Sequence, residues 1–315
     1  MENVRMDANL QIELAPRQKN GLLLKNPVLT ASGTFGFGVE YAKLGEVPRL
    51  GGVISKGITL HARSPQAAKR VVETAAGLLY TLDGPNPGLQ VVRKKYAPVW
   101  ANWQTPVIVN IMGNELDELA DLAQRLEEIE GIAGIELSAL SADARTSWED
   151  EPSLLAEIVT AVRYATTLPL IVKLSPGKHD LLVSARTAIE AGANAISLIQ
   201  TLPALGVDTV TRRPHFSPPR SGFSGPALKP LALRYVYELA HELRNTQPTI
   251  PIIGVGGIAS TNDALEFLLA GASAIQVGSV TFANPRAAVE IVEGLEAFMQ
   301  REGVADIHDL IGAAF

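Results

Sequence analysis

Two lysines stand where lysines are costly. Lys56 comes near the end of the apolar run GGVISKG (51–57), and Lys173 lies within LIVKLSP (170–176). An ammonium among aliphatic side chains needs an anion or an electron-rich ligand to offset its lost hydration. Further along, GVGGIAS (254–260) and IQVGSV (275–280) end apolar runs in glycine. Glycines there let backbone amides approach an anion, and a following helix N-terminus favours negative charge. Two lysines and a phosphate cradle imply a phosphorylated cofactor whose ring lies near both. Asn110, late in VIVNIM (107–112), is placed to hydrogen-bond such a ring, or else to cap a loop. The stretch GIELSALSADAR (134–145) begins as a buried strand and ends in Ser138, Ser141 and Asp143. Ser141 is the best proton-transfer candidate left at a strand end. Serine is a poor base unless a neighbour or a water chain takes its proton onward. On local sequence alone, a small polar residue at a strand-to-helix turn explains it equally well.

Other chemistry is excluded by what is missing. The chain has no cysteine, so disulfides, thiolate zinc sites, cysteine-ligated iron–sulfur clusters and a cysteine base are ruled out. The histidines at 61, 179, 215, 241 and 308 lack ligand spacing, and no metal site is expected. Arg212, Arg213, His215 and Arg220 cluster in one segment that reads as a solvated basic loop. A net charge of −6 offers no broad basic surface for nucleic acid. No apolar run approaches the ~18 to 20 residues of a membrane span. Met1–Asn9 is too polar for a secretory leader. The expectation is a cytoplasmic protein.

These residues need a scaffold. Eight short apolar runs recur: 26–33, 51–57, 107–112, 134–140, 170–176, 195–201, 252–257 and 274–280. Most are apolar on both faces, as parallel strands covered by helices are. Helical patterns at 115–129, 153–167, 180–192, 262–271 and 285–300 lie between or after them. The alternation predicts an α/β fold, a (β/α)8 TIM barrel, with an open doubly wound sheet as the alternative. Residues 1–315 read as one barrel domain. A small hairpin at 10–25 is expected to close the barrel bottom. Segments 58–100 and 202–226 read as long irregular strand-end loops, the usual form of lids and binding loops.

At this level of detail the chain resembles a known family. NPVLTASGTFGFGVEY, VIVNIMG, IVKLSP, SGFSGPALKPLALRYVYE, PIIGVGGIAS and DALEFLLAGASAIQVGS are similar to class 1 dihydroorotate dehydrogenases. The ASGTFGFG form is most like the catalytic subunit of the NAD-linked branch. The resemblance implies FMN at the barrel mouth and oxidation of dihydroorotate to orotate. It assigns FMN to Ser32, Lys56, Asn110, Lys173, Ile199, Gly225, Gly256, Gly257, Gly278 and Ser279. It assigns the substrate to Lys56, Tyr80, Ser138, Asp143, Gln200 and Thr201. Ser141 falls at the catalytic base. Six of these positions depart from the family pattern: Tyr80, Ser138, Asp143 and Gln200 each replace an asparagine, Ser141 a cysteine and Ser279 a threonine. The resemblance also implies a separate iron–sulfur and FAD subunit, since a chain without cysteine holds no cluster, and a homodimer. Three readings stand: a dihydroorotate dehydrogenase with a rearranged pocket, a related flavoprotein acting on another substrate, and a flavin-binding protein without catalysis.

Overall fold

Eight parallel strands form the centre of the molecule, in a computed structural model that describes residues 8–44, 46–65, 70–82, 84–140, 148–177 and 180–315. They are β1 (Val28–Thr30), β2 (Val53–Ile54), β3 (Val107–Ile111), β4 (Gly134–Ser138), β5 (Leu170–Leu174), β6 (Ala195–Leu198), β7 (Ile252–Val255) and β8 (Ala274–Val277). Their spatial order follows the chain, with β8 returning to β1. A bridge between Leu29 and Gly52 joins β1 to β2 and closes the ring. Thr30 N donates to Gly52 O at 3.3 Å, and Gly51 N to Val28 O at 2.9 Å. The architecture is the expected TIM barrel rather than an open sheet. The strands are buried throughout, which is why they read as unbroken apolar runs.

Helices cover the barrel wherever the pattern has a period of 3.6 residues. In the helix Leu116–Glu127, Leu119, Leu122, Ala123 and Leu126 are buried, and Asp117 and Glu118 lie in its first turn. That is one apolar stripe, with carboxylates at the positive end of the helix dipole. The helix Thr261–Leu269 starts with a capping box between Ser260 and Asp263. The helix Lys229–Thr246, absent from the helical patterns read above, is the longest and follows β6.

The N-terminal hairpin pairs Ile12–Glu13 with Leu23–Leu24. Leu14, Leu22 and Leu24 are buried. A methyl built on Gly52 would touch Leu24, and one on Gly134 would touch Leu22, each at 3.5 Å. The hairpin therefore lies against the N-terminal ends of β2 and β4, at the barrel bottom, as expected.

The two long strand-end segments are not irregular. Val71–Thr74 and Gly77–Thr81 form a hairpin. Gly77–Thr81 pairs with Ser221–Ser224, which pairs in turn with Leu202–Ala204. The segments after β2 and β6 thus share one four-stranded antiparallel sheet. The rest of 58–100 ends in a helical run from Gly88 to Trp100 with a π-helical middle at Val92–Tyr96. The basic cluster is as solvated as expected: Arg212, Arg213 and Arg220 are exposed.

Candidate functional site

A cleft of about 680 Å³ opens at the C-terminal ends of the strands, beside the four-stranded sheet. Barrel enzymes carry their sites at this end. The cleft brings together every described residue that the sequence assigned to cofactor or substrate. Ser32, Lys56, Asn110, Lys173, Ile199, Gly225, Gly256, Gly257, Gly278 and Ser279 line it, together with Tyr80, Ser138, Gln200 and Thr201. Ser141 and Asp143 lie outside the described residues.

The phosphate end is built from turns. Gly256 and Gly257 follow β7 with φ of 123° and 72°. Gly278 and Ser279 follow β8, and Ser279–Phe282 forms a 3-10 turn. The amides of Gly257, Gly278 and Ser279 make no backbone hydrogen bond to the described residues. A β-carbon on Gly257 would meet Lys229 N at 2.6 Å, and one on Gly225 would meet Gly77 Cα at 2.4 Å. At both positions the backbone passes too close to a neighbouring segment for any side chain. Lys229 is held by Asp263 at 2.7 Å and Glu266 at 2.9 Å, which ties the Lys229–Thr246 helix to the next.

The floor of the cleft is a buried polar network. Lys173, within β5, is 3% exposed. Its ammonium donates to Gln276 Oε1 at 2.5 Å, to Glu136 Oε1 at 3.4 Å and to Ser32 Oγ at 3.5 Å. Burial pulls the ammonium below its ordinary 10.5, and the Glu136 carboxylate opposes that. Asn110 Nδ2 donates to Glu136 Oε1 at 2.8 Å, so the other atom of that amide is an acceptor. Sequence reasoning missed Glu136, Ser197 and Gln276. The signal was a polar residue at an inward position in the middle of each of GIELS, AISLI and AIQVG.

Another wall is polar and partly paired internally, with Gln200 Oε1 buried and without a partner among the described residues. Gln200 Nε2 donates to Ser138 Oγ at 2.5 Å, while Ser138 Oγ donates to Leu140 O at 3.2 Å. Tyr80 and Thr201 share a hydrogen bond of 3.1 Å between their hydroxyls. Burial raises the Tyr80 phenol above 10.0, and the bond to Thr201 offsets this in part. Among the described residues, no cluster of His, Asp or Glu could hold a metal ion.

A parallel barrel with a glycine phosphate cradle, a buried lysine and a polar wall over one cleft defines a phosphorylated-cofactor enzyme of the TIM-barrel class. Comparison with known proteins makes this specific. The sequence model of the family described as Dihydroorotate dehydrogenase matches residues 17–299, and the chain belongs to that family. The "Dihydroorotate dehydrogenase B (NAD(+)), catalytic subunit" of Thermodesulfovibrio yellowstonii is 42% identical over 295 residues, covering 93% of this chain and 96% of that one. The "Putative dihydroorotate dehydrogenase A (fumarate)" of Solibacter usitatus is also 42% identical, covering 93% and 95%. A solved dihydroorotate dehydrogenase of Eimeria tenella, in complex with ferulenol, superposes with a TM-score of 0.79 at 20% identity. It covers 98% of this chain and 89% of that one, and it shares the fold.

The family consists of FMN-dependent oxidoreductases acting on CH–CH bonds. The cleft fits that cofactor. Amides without a backbone partner among the described residues suit a phosphate, Lys173 offers a donor and Asn110 an acceptor to a heterocycle, and the volume lies within the usual ~300 to 1,000 Å³ of ligand pockets.

Proposed function

We propose that the chain oxidises dihydroorotate to orotate, a step of pyrimidine biosynthesis. FMN, when bound, supplies the hydride acceptor. The protein supplies everything else. Gly256, Gly257, Gly278 and Ser279 hold the phosphate through their amides, with Gly225, whose backbone packs against Gly77, lining the cleft beside them. Ser32, Lys56, Asn110, Lys173 and Ile199 hold the ring. Lys56, Tyr80, Ser138, Asp143, Gln200 and Thr201 orient the substrate. Ser141 takes the proton from substrate C5 as hydride leaves C6, and passes it on to solvent or a neighbour. What carries this reading is the convergence of the described candidate residues on one cleft.

One observation favours a second substrate. Ser138 with Gln200, and Tyr80 with Thr201, bond to each other. Groups already paired with one another have less to offer a planar carboxylated ring, so a different CH–CH substrate is the alternative. The cofactor-side residues match the family at nearly every position, which weighs against a non-catalytic flavin carrier.

The names of the relatives extend the reading. A catalytic subunit linked to NAD works with a second polypeptide. With no cysteine in this chain, the proposed route runs through a separate iron–sulfur and FAD subunit, with fumarate as the alternative acceptor. Among the described residues, no helix is long and apolar enough to cross a membrane. A cytoplasmic homodimer of one-domain barrels is proposed. Anaerobic mixing with dihydroorotate tests the reaction: bleaching of the visible flavin band supports it. A band that stays, while another dihydropyrimidine bleaches it, leaves the second substrate reading.

A further inference from the structure

We propose that Glu136 is a positioning residue of the cleft: its buried carboxylate keeps Lys173 as an ammonium facing the cofactor ring. The inference rests on the flavin reading above.

Glu136 lies on the inner face of β4 and is fully buried. Its two oxygens take four donors. Oε1 accepts from Asn110 Nδ2 and Lys173 Nζ, and Oε2 from Ser197 Oγ at 3.2 Å and from Gln276 Nε2. Those donors stand on β3, β5, β6 and β8. A carboxylate has about four lone-pair sites, and here each has a donor. Lys173 lines the cleft and Glu136 does not. The pair is neutral as a whole, yet it turns its positive end to the ligand.

Burial disfavours the charged form of a lysine that has no counter-ion. Among the described residues, the other titratable groups around the cleft are Glu40, Tyr41, Lys56, Arg70 and Tyr80. None of them is ion-paired or hydrogen-bonded to Lys173, and among the described residues Glu136 is its ion-pair partner. Gln276 and Ser32 bond to it without charge. Within this geometry the Glu136 carboxylate is the group that favours the ammonium form of Lys173. A cation beside the ring stabilises a reduced, anionic flavin more than an oxidised, neutral one.

The test compares wild type, Glu136→Gln, Glu136→Asp, Lys173→Met and the double variant Glu136→Gln/Lys173→Met. FMN affinity and the midpoint potential of the bound flavin are the readouts. Glu136→Gln is expected to weaken FMN binding at least tenfold. It is also expected to cut the preference for reduced flavin at least tenfold, which lowers the potential by about 30 mV for a two-electron couple. Glu136→Asp keeps the charge and is expected to recover the potential. An unchanged or raised potential in Glu136→Gln overturns the proposal, because Lys173 then keeps its proton unaided. Should Glu136→Gln fail to fold, the double variant replaces it. Against Lys173→Met alone it is expected to lose no further FMN affinity, and a further tenfold loss overturns the proposal. A wild-type chain that takes up no FMN overturns the flavin reading, a failure distinct from either.

Discussion

Gly257→Ala isolates the phosphate end of the cleft. The residue has φ of 72°, and an added β-carbon would meet Lys229 N at 2.6 Å and Lys229 Cβ at 2.7 Å. The positive φ costs an alanine about 1 to 2 kcal/mol. The clash is with backbone, and Lys229 is held by Asp263 and Glu266. The turn itself must move, and its free amide moves with it. A hydrogen bond to a charged group is worth about 1.5 to 3 kcal/mol. At about 1.4 kcal/mol per decade, losing one weakens FMN binding about 10- to 150-fold. The assay is fluorescence titration of the apoprotein with FMN and, in parallel, with riboflavin, which has no phosphate. FMN affinity is expected to fall by that factor while riboflavin affinity changes less than about threefold on the same reasoning. An equal loss for both ligands would refute the assignment of this turn to the phosphate.

Other outcomes follow from single contacts. Ser141→Ala should slow flavin reduction by about 10² to 10⁴, the range for a general base; a stopped-flow rate equal to the parent removes Ser141 from that role. Tyr80→Phe takes the partner from the buried Thr201 hydroxyl and should cost about 1 to 3 kcal/mol, read as a lower urea midpoint; no shift would show that the pair contributes nothing. Asp263→Asn concerns pH. Burial pushes the Asp263 carboxyl up, but bonds from Lys229, the Ala259 amide and Ser260 outweigh this and hold it below 3.8. A depressed folded value stabilises the protein above the unfolded value and stops doing so as pH falls through the folded one. The variant should be less stable by about 1 kcal/mol at pH 7, with the gap closing below about pH 3.8. A gap that does not narrow at all as the pH falls below 3.8 would contradict that origin.

How legible was this molecule in its sequence? The barrel was, because a strand buried on both faces leaves a mark that depends on nothing distant: VIVNI and LIVKL are apolar runs wherever they occur. The cleft lysines and the glycines after β7 and β8 stood out for a related reason, since they interrupt such runs or end them. The sheet beside the mouth was not. Gly77–Thr81 finds its partner in Ser221–Ser224, and no local pattern announces a pairing so far apart. The helix Lys229–Thr246 was passed over although proline in its first turn is a common helix start. The network around Glu136 was missed because single polar residues in apolar runs were read as tolerated rather than as one another's partners. In the closed ring they come from β3 to β6 and β8 and converge on one carboxylate.

The shared sheet has a consequence for the order of assembly. One half of it, Gly77–Thr81, is synthesised before β3; the other, Ser221–Ser224, follows β6. Closing so long a loop is entropically unfavourable until the barrel has brought the two ends together. The wall of the cleft is therefore among the last parts to form, and the glycine cradle after β7 and β8 comes later still in the chain. A growing chain can bury most of its aliphatic core before it has anywhere to hold a cofactor, so cofactor capture reports on completed folding rather than guiding its early steps.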